Sequence, residues 1–100
     1  MDLNREWGRP YLLMAELIED AANKCEASAF EKKAALWLAI DHCLLARNVD
    51  PQVRDEANQM LFRLQGKAPS REEIQFRGLQ NGDSYPLRCW KQMVTTVKVF

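Results

Sequence analysis

Apolar residues return every three or four positions over the first quarter of the chain, the period of one helix face. Tyr11, Met14, Ala15, Ile18, Ala22 and Cys25 form that stripe, and Leu12, Leu13 and Leu17 widen it. Glu16, Glu19, Asp20, Asn23 and Lys24 make up most of the polar side. Pro10 suits a first helical turn, where its missing N–H costs nothing. The pattern predicts a helix from about Pro10 to Cys25.

The stretch from Lys32 to Pro51 is patterned differently. Ala35, Ala39 and Ala46 supply small residues, with bulky ones between them. Such a helix is apolar nearly all round and needs protein on more than one side. Ser28 and Glu31 have the spacing of a capping box, so this second helix is predicted from about Ala29 to Asn48. Asp50 then caps a third helix with Pro51 at its first position. Its stripe is narrow (Val53, Ala57, Met60, Leu61 and Leu64), and Gly66 is expected to end it. Ser70 and Glu73 form another capping box, opening a short helix that stops at Gly78.

Beyond Gly78 the grammar changes. Asn81-Gly82-Asp83 is a tight-turn signal, and the β-branched run Val94–Val99 ending in Phe100 reads as extended. A lone strand cannot stand by itself, so the tail should lie on the helices or pair with Ser84–Leu87. The expected organisation is a helical region over 1–78 and a capping tail over 79–100. The fold class is all-α: antiparallel helix pairs stacked as a short solenoid, with a small extended tail.

The helix-pair spacing, the small-residue positions and the Asp50-Pro51 ending resemble a tetratricopeptide repeat, a unit of about 34 residues. On that resemblance Tyr11, Met14, Ala15 and Ile18 occupy the family's first-helix packing positions. Ala39, Cys43, Ala46 and Pro51 occupy those of the second helix. Ala15 stands where the family often has Gly, and Cys43 where it prefers a large aromatic residue. The connection between the two helices exceeds the family spacing by roughly a dozen residues, which predicts an enlarged loop. The tail, Gly82-Asp83-Ser84-Tyr85, then Cys89-Trp90, then Thr95-Thr96-Val97, looks like the C-terminal end of a group of bacterial tetratricopeptide proteins. About one and a half repeats are present, and arrays need about three to hold themselves together. The chain is therefore expected to be the C-terminal piece of a larger protein, and to self-associate when isolated.

Composition narrows the picture only a little. Fourteen basic and fourteen acidic residues cancel, so no global charge steers the chain to nucleic acid or an anionic membrane. No apolar run approaches the ~20 residues that span a bilayer, and no membrane insertion is expected. Cys25, Cys43 and Cys89 are widely spaced and read as buried reduced thiols. Trp7, Trp37 and Trp90 read as core or terminal anchors.

Candidate chemistry is sparse. Asp41-His42-Cys43 invites a catalytic reading, yet three consecutive helical residues point in three directions. No zinc-ligand spacing, phosphate loop or nucleophile elbow is present. No enzymatic activity, metal or cofactor is therefore expected. The expected function is a non-catalytic protein–protein interaction or scaffolding module. The alternative is a helical DNA-binding or regulatory domain, although no helix carries a basic base-reading stripe. In tetratricopeptide arrays the first helix of each pair lines the partner groove. By that resemblance Leu12, Glu16, Glu19, Asp20 and Asn23 would face the groove, joined by Asp55, Asn58, Phe62 and Gln65. Glu16, Glu19 and Asp20 would make it locally acidic, suited to a basic or amphipathic peptide.

Overall fold

The computed structural model describes residues 8–87 and 94–99. Trp7, Cys89, Trp90 and Phe100 lie outside the described residues. The described part is mostly helical. Helix α1 spans Gly8–Lys24, α2 Ala29–Val49, a 3₁₀ turn Pro51–Val53, α3 Arg54–Lys67 and α4 Arg71–Phe76. Two short strands, β1 (Ser84–Pro86) and β2 (Val94–Thr96), pair antiparallel with Tyr85 opposite Thr95.

Local signals set most boundaries. The Ser28 hydroxyl accepts from the Glu31 N–H at 3.2 Å and starts α2. At α4 both halves of the box are formed: Ser70 Oγ accepts from Glu73 N, and Glu73 Oε1 accepts from Ser70 N, each at 3.1 Å. Gly78 (φ +72°) and Gly82 (φ +90°) take up the left-handed backbone that the following turns require. Gly66 does not end α3, contrary to its expected role; the helix runs on to Lys67. Pro69 is the stronger stop, because its ring forces Ala68 into extended backbone (ψ 166°).

The first connection also departs from expectation. Only residues 25–28 separate α1 from α2, so there is no enlarged loop. The additional residues extend the helices themselves, 17 residues in α1 and 21 in α2. Apolar and alanine-rich sequence carries each helix onward, since nothing before Cys25 or after Ser28 breaks it.

Helix α2 is the spine. Every residue from Ala34 to Ile40 is buried, as are Cys43 and Ala46. Helices α1 and α3 pack along it, and β2 rests on it as well. Ala35, Ala39 and Ala46 are fully buried, as is Ala15 of α1, and their small size permits close helix approach. Ile18, Ile40 and Leu64 are also sealed, each such side chain contributing about 1.5–3 kcal/mol. Phe30, Trp37 and Tyr85 meet edge to face with centroids 5.8–6.1 Å apart, tying α2 to β1. The Arg77 guanidinium carbon lies 4.0 Å from the Phe30 ring centre and closes this cluster from the α4 side.

Cysteine usage corrects the sequence reading. Cys43 is a buried free thiol, as expected, but Cys25 is half-buried and disulfide-bonded. The wide spacing of the three cysteines leaves no local signal for that bond.

Candidate functional site: the cleft between α1 and α3

Helices α1 and α3 lie side by side on α2 and run parallel. Near their starts, the Arg9 guanidinium donates to Glu56 at 3.1 and 3.3 Å. Nearer their ends, Glu19 accepts from Arg63 at 2.6 Å and from Lys67 at 3.3 Å. These pairs join residues 44–48 positions apart, so equivalent turns of the two helices stand opposite each other.

Between them is a cleft of about 690 Å³. Its apolar lining includes Leu12, Leu13, Val53 and Met60, and its charged lining is Arg9, Glu16, Asp50 and Glu56. Asp50 links α2 to the 3₁₀ turn. Its Oδ1 accepts from Gln52 N at 3.0 Å, a cap on the 3₁₀ turn rather than, as expected, on α3, which starts at Arg54 without a side-chain cap. The residue is 1% exposed, and its Oδ2 has no hydrogen-bond partner among the described residues. Gly8 packs so tightly here that a Cβ on it would stand 2.6 Å from Asp50 Cβ and 2.5 Å from Val53 Cγ2.

The residues expected to form one groove divide into two groups. Leu12 and Glu16 line the cleft, Leu12 being largely buried and Glu16 exposed. Glu19 spans to α3. Asp20 is exposed and paired with Lys24 at 3.0 Å, and Asn23 is exposed. Asp55, Asn58, Phe62 and Gln65 are not brought to α1. The α3 residues facing α1 are Glu56, Met60, Arg63 and Lys67, and helical geometry places Phe62 about half a turn from Met60. Asn58 instead accepts from Arg47 of α2 at 3.3 Å, and Phe62 is 81% exposed.

The expected acidity changes as well. Arg63 and Lys67 offset Glu19, Lys24 offsets Asp20 and Arg9 offsets Glu56, leaving Glu16 and Asp50, among the described residues, as the cleft carboxylates outside these pairs. A signal was present in the sequence: Arg9 with Glu19 on one helix mirrors Glu56 with Arg63 on the other. The members of each pair lie about two to three turns apart on one side of their helix, so opposite charges meet if the helices run parallel.

The Asp41-His42-Cys43 run splits three ways. Asp41 pairs with Lys98 of the tail at 2.9 Å. His42 Nδ1 donates to the Leu38 carbonyl at 2.9 Å, and its ring lies near Tyr11. Cys43 is buried, and that burial pushes its thiol up to about 11. The nearby Arg63 charge lowers it, while Glu19 and Glu16 raise it further. Among the described residues, no group of three or more His, Cys, Asp or Glu side chains is gathered as a metal site. No described helix is long and apolar enough to cross a membrane.

No family model, curated protein or solved structure matches this chain.

Proposed function

We propose that this chain is part of a tetratricopeptide-like helical-repeat scaffold that binds a protein partner along the α1–α3 face without catalysing a reaction. The observation that carries this reading is the parallel pairing of α1 with α3 across α2, with partner residues 44–48 positions apart. In such a unit a helix hairpin repeats, and first helices line up along one face. The offset is longer than the ~34 residues of a tetratricopeptide repeat and near the ~40–47 of other helix-pair repeats. The extra length resides in the helices, so the cleft is correspondingly extended.

Leu13, Leu17, Leu45 and Val49 remain 40–57% exposed. Their exposure supports a neighbouring helix pair, or a second copy of the chain, packing beside α1 and α2. The DNA-binding alternative is weakened because Arg9, Lys24, Lys33, Arg63, Lys67 and Lys98 are engaged by carboxylates of the chain itself.

Peptides selected from a random display library on the folded chain would test the proposal by amide chemical-shift mapping. Shifts centred on Leu13, Glu16 and Met60 are the expected result. Binders that map consistently elsewhere, or tight salt-sensitive binding of duplex DNA with no peptide selected, would overturn it.

A further inference from the structure

Burying a carboxylate oxygen without a donor is costly, and folded proteins leave few such atoms unmatched. Asp50 Oδ2 is one of them, and its residue lines the α1–α3 cleft. The other oxygen is already committed to capping Gln52. Among the described residues the cleft has one cation, Arg9, and both ends of that guanidinium fork are engaged by Glu56. Glu16 makes no hydrogen bond or ion pair with any described residue. Among the described residues, three carboxylates and one guanidinium therefore line the cleft, and the two carboxylates not paired with it, Asp50 and Glu16, share it with Leu12, Leu13, Val53 and Met60.

We infer that this cleft receives a cationic side chain, arginine or lysine, from a partner peptide. The inference rests on the proposed use of the α1–α3 face for partner binding and names the group that would be read there. A cation on an aliphatic stem matches both parts of the lining. The stem packs on Leu13, Val53 and Met60, as long cationic side chains do on apolar surfaces. The head donates to Asp50 Oδ2 and Glu16, charge-assisted bonds that fill the vacant acceptor. The volume falls within the roughly 300–1,000 Å³ of ligand sites, large enough for the side chain and flanking backbone. Because the Arg9–Glu56 pair is exposed on both sides, rearranging it to admit a competing cation costs little.

The test uses N-acetyl-leucyl-arginine amide and its citrulline counterpart, which has the same shape and no charge. Each is titrated into the ¹⁵N-labelled chain. The arginine probe should give saturable shifts at Leu13, Glu16 and Gln52, and the citrulline probe should bind about tenfold more weakly. Asp50→Asn retains an oxygen to cap Gln52 and should weaken the arginine probe to a similar degree. Glu16→Gln, at an exposed position, should also weaken it and keeps the test decisive if Asp50→Asn does not fold. Equal binding of the two probes would overturn the cation site while leaving a docking face in place. Arginine binding unchanged in Glu16→Gln, or no saturable shift from either probe, would also overturn it. The docking face would then stand or fall on its own peptide selection.

Discussion

The Glu19 carboxylate of α1 accepts from the Arg63 guanidinium of α3 at 2.6 Å, and that contact bridges two helices that otherwise touch mainly through α2. The Glu19 side chain is only 13% exposed, whereas Arg63 and Lys67 are about half exposed. A carboxylate this shielded, with two cationic donors, is worth more than an ordinary surface pair. Glu19→Ala should cost about 1–2 kcal/mol, with Arg63→Ala costing less because Lys67 remains. Urea unfolding at low and high salt checks this, and the loss should shrink as salt screens the pair.

Two glycine substitutions should move stability in opposite directions. Gly66→Ala lies inside α3 with nothing within 4 Å of the new methyl, so it should stabilise by about 0.5–1 kcal/mol. Gly8→Ala places its methyl 2.5 Å from Val53 Cγ2 and should destabilise by about 1–3 kcal/mol despite the better helix propensity. Thermal melts of both variants beside the parent give the signs directly.

Cys43 should behave as an inert thiol. With its pKa raised to about 11, it stays protonated through neutral pH. Iodoacetamide at pH 8 should label it on the order of 100-fold more slowly in the folded chain than in urea. Cys25, being disulfide-bonded, should take up label only after reduction. Peptide mass mapping separates the two positions.

The α4 cap should respond to acid. The Ser70 N–H and then the Lys33 ammonium hold the Glu73 carboxyl below its ordinary value of 4.5. A lowered folded-state pKa stabilises above the ordinary value, and that contribution is lost as pH falls through the folded value. The Ser70 amide shift should therefore titrate below pH 4.5, and Glu73→Gln should abolish the transition. A Ser70 amide that titrates at the ordinary glutamate value would contradict the cap assignment.

Elements with short-range codes were legible in the sequence. Ser28, the Ser70–Glu73 box and the Asn81-Gly82 turn all involve partners within a few residues, and each formed where expected, whereas Asp50-Pro51 starts a 3₁₀ turn and α3 itself begins after Val53 with no side-chain cap. That the tail needs a partner was also legible, and of the two expected places it takes both, pairing with Ser84–Pro86 and resting on α2. What escaped depended on which neighbour stood across a gap. Leu12 is buried while Leu13 and Leu17 are exposed, a choice made by the position of α2 rather than by hydrophobicity. The face that α3 turns to α1 follows from a rigid rotation of the helix, which a one-sided apolar stripe leaves undetermined by a quarter turn or more. The orphaned oxygen of Asp50 likewise arises only once the start of α1 has packed against it, and the cysteine spacing gives no sign that Cys25 is disulfide-bonded.

The covering of α2 by β2 has a consequence for the order of folding. Val97 is buried with the α2 core although some sixty positions separate it from Trp37 along the chain. Contacts that distant are slow to close, because loop entropy is lost before any burial repays it. Helices α1, α2 and α3 can meet through nearer contacts, leaving the Phe30–Trp37 end of the spine open to water for longest. That end, rather than the partner cleft, is where a nascent or partly unfolded chain presents its aromatic core to chaperones and to other chains.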